Sequence, residues 1–253
     1  MREPRSILLT GASSGIGMAL ARAYAGPGIR LALGGRDAER LDEIAAACRA
    51  AGAEVESAAV DVTDRQATAE WLLDVDGRRP LDLVIANAGI SAGTADGSET
   101  EAQTRAVFTV NLEGALNTVL PLLPAMRARR HGQIALMSSL ASFRGFPGAP
   151  SYSASKAALR VWGEGLRGDL APAGIVVSVI CPGFVVSRMT AANNFPMPML
   201  MPAERAAEII RRGLARGRSR IAFPSAIYAL AWLIGALPPA LVDPLLASLP
   251  KKR

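Results

Sequence analysis

The stretch Ile7-Leu8-Leu9-Thr10-Gly11-Ala12-Ser13-Ser14-Gly15-Ile16-Gly17 decides how this chain folds. Its three consecutive apolar residues read as a strand buried on both faces, and a helix-favouring run, 18–25, follows the last glycine. Between the two, glycines let the backbone pass close to whatever lies above it. The free amides and the positive end of the following helix attract an anion there. Gly11, Ser13, Ser14, Gly15, Ile16 and Gly17 are therefore candidate ligands of a pyrophosphate, and a dinucleotide is the natural guest. The spacing is TGxxxGxG, and no lysine follows the last glycine to hold terminal phosphates, which argues against a nucleoside triphosphate. The plainer reading is a loop that only turns the chain.

Outward from this stretch, short apolar strands alternate with amphipathic helices. Strands are predicted at 30–33, up to about 60, at 81–86, 134–137 and 175–180, and near Ile221. Helices are predicted at 63–75 and 203–215, and one with a buried face of Leu41, Ile44 and Cys48. A long helix from about residue 99 carries Leu112, Leu116, Leu120 and Leu123. This alternation calls for a doubly wound α/β domain: a parallel sheet of about seven strands with helices on both faces and ligands beyond the strands' carboxyl ends.

In Tyr152-Ser153-Ala154-Ser155-Lys156 a phenol and an ammonium stand four residues apart on one helical face. A nearby cation favours the phenolate, so the pair reads as an acid/base device, although a half-exposed ring beside a solvated charge has the same spacing. Ser139 and Ser138 are candidate hydroxyls near it, and strand alternation points the two to opposite faces. Asn111, between Val110 and Leu112, is polar in an apolar helical stretch and is costly there if buried without partners.

The glycine run at 10–17, Asn87-Ala88-Gly89, Ser139, Tyr152, Lys156 and Pro182-Gly183 together resemble the short-chain dehydrogenase/reductase family, over residues 5 to 225. The resemblance implies a single Rossmann-like domain, with 1–225 as the dinucleotide-binding and catalytic part; the apolar C-terminal extension 226–253 departs from a minimal family member. The resemblance also implies reversible hydride transfer between a nicotinamide and a small-molecule alcohol or carbonyl. Tyr152 is then the general acid/base, Lys156 grips the ribose and lowers the phenol pKa, Ser139 positions the substrate oxygen, and Asn111 holds a relay water. An amide tying two helices together is the alternative role for Asn111. Asp61 and Val62 would flank the adenine, although Asp61 equally suits a helix cap. Asn87, Ala88 and Gly89 would line the cofactor. Pro182, Gly183, Val185 and Ser187 match the segment that fixes the nicotinamide, with Ser187 where the family usually has Thr. Gly35 stands where NAD-preferring members carry an acid and Arg36 where NADP-preferring members carry a base. NADP(H) is thus the preferred cofactor, with NAD(H) usable; Asp37 could draw the Arg36 charge away. A non-catalytic NADP(H)-binding sensor is the rival class, and a homodimer or homotetramer is implied.

The chain has 253 residues, half of them apolar, enough for a sizeable core in one domain. Two cysteines suit a reducing, cytoplasmic setting, and no signal peptide is apparent. The net charge of +6 comes from dispersed residues in a chain poor in aromatics, so no nucleic-acid partner is expected. Arg127, Arg129 and Arg130 read as a solvated helix end and His131, the single histidine, as a turn residue, so no metal site is expected. The methionine-rich segment 189–201, with Leu140, Phe143 and Phe146, suggests a lipophilic substrate, or packing among these residues themselves. The tail from 221 to 250 is apolar apart from Asp243 and lies between Arg216, Arg218, Arg220 and Lys251, Lys252, Arg253. Subunit packing or pocket coverage is the first reading for it, and peripheral contact with an anionic membrane the second.

Overall fold

The computed structural model describes residues 3–91, 98–193 and 195–247; Asn194 and the basic end Lys251, Lys252, Arg253 lie outside them. Strands β1 (Ser6–Thr10), β2 (Arg30–Gly35), β3 (Glu54–Ala59), β4 (Leu83–Ala86), β5 (Gly132–Met137), β6 (Ile175–Pro182) and β7 (Arg220–Phe223) form one parallel sheet in the order β3-β2-β1-β4-β5-β6-β7. The order reverses direction at β1, whose neighbours are β2 and β4. At such a switch point the crossovers leave in opposite directions and open a crevice beyond the carboxyl ends.

Two cores cover the sheet, one on each face. Helices α1 (Gly15–Tyr24) and α2 (Ala38–Ala50) join Ile7, Leu9, Leu31 and Leu33 in the first, together with the helix Ala203–Ala215. Leu41, Ile44 and Cys48 are buried there, as their periodicity predicts. The second core takes Leu8, Val84, Ile134 and Val177 against α3 (Arg65–Arg78), the long helical run from 101 to 129, and the helix Pro150–Leu170.

That long run differs from the expected single helix. It comprises α4 (Glu101–Phe108), a π-helical turn Thr109–Glu113, α5 (Gly114–Val119), a 3-10 turn at Leu120–Leu122 and α6 (Leu123–Arg129). The extra residue of a π turn rotates everything after it about the axis. The buried positions become Asn111, Ala115, Val119, Leu122 and Met126, while Leu112 is only partly buried and Leu120 is exposed. The run is long and apolar enough to cross a membrane by length and composition, yet here it lines one face of the sheet. Its basic end is also less solvated than expected: Arg129 grips the buried Asp76 through two bonds of 2.7 and 2.9 Å.

The remaining helices complete the fold. Helix α7 (Pro150–Leu170) lies on β5 and β6, α8 (Arg188–Ala191) is short, and α9 (Ala203–Ala215) packs on α1. Past β7, α10 (Ser225–Ala236) sets Ile227, Tyr228 and Ala231 against Leu140, Val179 and Cys181. Phe143 is drawn into this contact. Its ring meets Tyr228 edge-on at 5.5 Å and lies 4.8 and 5.4 Å from the guanidinium groups of Arg160 and Arg220. Leu140 and Phe143 thus take the packing role. Helix α11 (Pro239–Ala247) is tied back by Asp243 to Arg144 at 2.6 Å.

Helix α7 sits flush on the sheet because Gly163 has no side chain; a methyl group there would meet Val179 Cγ2 at 2.6 Å and Leu136 Cδ1 at 2.7 Å. Gly163→Val is expected to lower the free energy of urea unfolding by about 1–3 kcal/mol through overpacking. Gly168→Val, on the same helix with open space around it, is expected to leave it nearly unchanged.

Candidate active site

The glycine turn is built by close approach. Gly11 and Gly15 adopt φ of +67° and +54°, the left-handed region that disfavours side chains. A methyl group on Gly17 would lie 2.1 Å from the Gly11 carbonyl oxygen, and one on Gly15 would lie 2.9 Å from Ser187 Cβ. Ser14 stands at the N-cap of α1 without a side-chain bond to its amides, so the helix start keeps free donors. The turn therefore fits an anionic group laid across it.

Two residues fix this turn to the end of β4. Asn87 donates from Nδ2 to the Thr10 and Gly11 carbonyls at 3.0 and 3.2 Å. Thr10 Oγ1 accepts the amides of Asn87 and Ala88 at 3.2 and 3.3 Å. In sequence Thr10 is only the first letter of the motif; in the fold its hydroxyl joins β1 to the end of β4. Gly89 comes next, and a methyl group there would touch Asn111 Oδ1 and Lys156 Nζ, both at 3.1 Å.

Asn111 is fully buried and satisfied. Its Oδ1 accepts the Ile90 amide at 2.7 Å, and its Nδ2 donates to the Ile90 carbonyl and to Ser155 Oγ, both at 3.0 Å. The side chain thus ties the loop after β4 to α7. Ser155, hidden inside the Tyr152 to Lys156 motif, is the partner that sequence reading passed over.

Across the crevice, two serines stand at the end of β5. Ser138 Oγ donates to the Lys156 carbonyl at 2.7 Å, whereas Ser139 Oγ accepts the Ala141 amide at 3.1 Å, donates to the Pro182 carbonyl at 3.5 Å and lies near the Tyr152 hydroxyl. Lys156 Nζ donates to the Met137 carbonyl at 2.9 Å and lies 5.8 Å from the centre of the Tyr152 ring. Burial pulls the Lys156 ammonium down to about 8. Burial also raises the Tyr152 phenol above its ordinary value, with the nearby Ser139 hydroxyl working the other way. The lowered phenol expected from the spacing alone is not found in this resting arrangement, because desolvation outweighs the helpful contacts.

The other candidates divide. Gly35 leaves Ser13 Oγ 3.3 Å from where its side chain would stand, and Arg36 beside it is exposed. Asp37 caps α2 and pairs with Arg40 at 2.5 Å, so it draws no charge from Arg36, which forms no ion pair among the described residues. Asp61 does not cap α3; Asp64 does, while Asp61 Oδ1 accepts Thr63 N and Oγ1 at 2.9 and 2.8 Å in a local turn. Val62 is buried against Gly114, and its carbonyl accepts Asn117 Nδ2 at 2.9 Å. Pro182 ends β6, the Gly183 amide donates to the Phe223 carbonyl at 2.7 Å, and Val185 is buried. Ser187 caps α8 through Thr190 and brings this segment against Gly15.

With the turn, the serine, the tyrosine and the buried lysine at one end of the sheet, comparison with known proteins is decisive. Residues 5–196 match the model of the short chain dehydrogenase family. The chain belongs to that family. It is 40% identical over 240 residues to an uncharacterized oxidoreductase of Myxococcus xanthus, covering 94% of this chain and 95% of that protein. It is 35% identical over 191 residues to serine 3-dehydrogenase of Agrobacterium fabrum, covering 75% of each. The crystal structure of a short chain dehydrogenase/reductase from Burkholderia phymatum in complex with NAD superposes with a TM-score of 0.83 at 26% identity, covering 91% of this chain and 93% of that one. The chain is thus an oxidoreductase acting on CH–OH groups with a nicotinamide cofactor.

Because the folded Lys156 value is lowered, the unfolded chain binds the extra proton between about 8 and 10.5, and stability is lost as pH falls through that window. Lys156→Met removes this penalty. Its stability advantage over wild type is expected to be greatest below pH 8 and to shrink by about 3 kcal/mol on approaching pH 10.5, read from urea unfolding of both proteins across the range.

Proposed function

We propose that the chain is an NADP(H)-dependent oxidoreductase interconverting a lipophilic secondary alcohol and its ketone, with Tyr152 as general acid and base. The observation that supports this most is the Lys156 ammonium 5.8 Å from the centre of the Tyr152 ring, with Ser139 near the phenol, at the end of the sheet where the glycine turn lies. Gly11, Ser13, Ser14, Gly15, Ile16 and Gly17 would hold the pyrophosphate, Asp61 and Val62 the adenine, and Asn87, Ala88, Gly89, Pro182, Gly183, Val185 and Ser187 the rest of the cofactor. When bound, the nicotinamide supplies or accepts the hydride. In the reduction direction Tyr152 gives its proton to the substrate oxygen, which Ser139 holds by a hydrogen bond. The Lys156 ammonium stabilises the phenolate left behind. Asn111 acts as a positioning residue that holds the loop after β4 against α7.

Arg36 carries the NADP preference in this reading. It is exposed and free of ion pairs among the described residues, and the glycine before it leaves no acid to repel a 2′-phosphate. The lipophilic substrate rests on the segment after β6, where Phe195 meets Phe184 edge-on at 5.9 Å and Met199 and Leu200 are exposed. A homodimer or homotetramer fits the exposed Leu120, on the helical run from 101 to 129, and the exposed Val161, on α7. The outer face of α10 and α11, with Leu230, Trp232, Leu233 and Leu241 exposed, offers a second surface for subunit packing. An anionic membrane is its rival occupant, and liposome flotation separates the two. Two free, buried cysteines fit a reducing, cytoplasmic setting.

Two substitutions test the reading. Tyr152→Phe is expected to cut NADPH oxidation, with cyclohexanone, decalone and acetophenone as a first panel, by at least about a hundredfold while leaving NADPH binding intact. Retained turnover rejects Tyr152 as the acid. Arg36→Ala is expected to weaken NADPH binding by about tenfold or more and NADH binding hardly at all, measured by fluorescence titration. Equal losses for both cofactors reject the 2′-phosphate role.

A further inference from the structure

Helix α7 carries Tyr152 and Lys156 but starts without a cap of its own. Ala149 occupies the N-cap position and offers no side-chain bond, and Pro150 follows it. The amide of Ser151, one residue before Tyr152, donates instead to Glu99 Oε2 at 3.0 Å, from a residue 52 positions earlier in the chain. Glu99 is itself held at the start of α4: it precedes Thr100, whose side chain closes a capping box with Gln103, and its Oε2 also lies 3.5 Å from Thr104 Oγ1. Its other oxygen, Oε1, is buried and has no partner among the described residues. A carboxylate oxygen left so is costly, and the positive end of a helix is a place where that cost is offset.

The rest of α7 is anchored independently. Ser138 holds the Lys156 carbonyl, Lys156 Nζ holds the Met137 carbonyl, and Gly163 lets the helix lie on β5 and β6. These anchors all lie after Tyr152. The turn before it depends on Glu99 and on the Ser153 amide bonded to the Ala149 carbonyl at 3.1 Å. We propose that Glu99 is a positioning residue for the reaction: by taking the Ser151 amide it fixes the first turn of α7 and so holds the Tyr152 ring in its place beside Lys156. This inference rests on the acid/base reading of Tyr152 given above.

The test uses Glu99→Ala, Glu99→Asp and Glu99→Gln in the full chain. Hydrogen exchange of a peptide covering residues 149–156 reads the turn directly. Steady-state NADPH oxidation, with the fastest ketone of the panel above, reads the reaction. Alanine, which removes the acceptor, and aspartate, which keeps the charge but withdraws it from the amide, are expected to speed exchange and lower kcat about tenfold or more. KM and NADPH affinity should stay within about twofold, since only the aim of the phenol changes. Glutamine keeps an acceptor oxygen in place and is expected to restore slow exchange and most of kcat. Unchanged exchange in the alanine and aspartate variants overturns the proposal whether or not any substrate is turned over. So does a glutamine variant with normal exchange and the same loss of kcat, because charge and not positioning would then be at work. A wild-type chain silent on every ketone counts against the acid/base reading alone, and the exchange result still decides whether Glu99 fixes the turn.

Discussion

The site depends on how deeply α7 can lie on β5 and β6. Without a side chain at Gly163, the helix axis approaches until Ser138 reaches the Lys156 carbonyl and Lys156 reaches the Met137 carbonyl. A helix held further out would leave Tyr152 and Lys156 in water, where a phenol and an ammonium four residues apart have little effect on one another. Depth is therefore what turns a common spacing into a chemical device. It also has a cost, since the ammonium loses hydration and, among the described residues, keeps one backbone carbonyl in return.

The crevice has a second wall, and the sheet order brings the two together. Because β4 lies between β1 and β5, the glycine turn after β1 and the serines after β5 open on either side of the Asn87 to Gly89 segment. Thr10 and Asn87 weld the first of these junctions through four hydrogen bonds between β1 and the end of β4. Asn111 then bonds Ile90 to Ser155, so the same segment is held by α7 as well. A π turn makes this reach available: an unbroken α-helix from 101 would present a different face to the sheet at 111. One inserted residue thus both buries Asn111 and sends Leu120 outward.

Much of this was legible in the sequence because it rests on local rules. Strand, glycine turn and helix start follow from three apolar residues and the glycines after them, and the periodicity of Leu41, Ile44 and Cys48 names a buried face correctly. What escaped the sequence depends on distant parts of the chain. Phe143 follows the candidate serine and invites a pocket role, yet α10, arriving more than eighty residues later, claims its ring together with Arg160 and Arg220. Asp61 suits a helix cap by its sequence, yet it is taken up by a turn with Thr63 and the cap falls to Asp64. Glu99 carries no signal at all, since nothing near it in sequence indicates that it will meet Ser151.

The electrostatics of the pair explain the remaining mismatch. Reasoning from spacing assumes that both partners carry charge, in which case each stabilises the other. In the resting site the phenol is neutral, so the ammonium has no anion to repay its burial and falls to about 8, while burial alone raises the phenol. In the reaction proposed above, the coupling becomes active only as Tyr152 gives up its proton. The phenolate then has a buried cation 5.8 Å from its ring, and that cation gains the counter-charge it lacked at rest. An interaction that is weak before proton transfer and strong after it favours the transition state over the ground state, which is the requirement for catalysis. The neutral resting pair and the charged working pair are thus two states of one geometry, and only the second is visible from the motif.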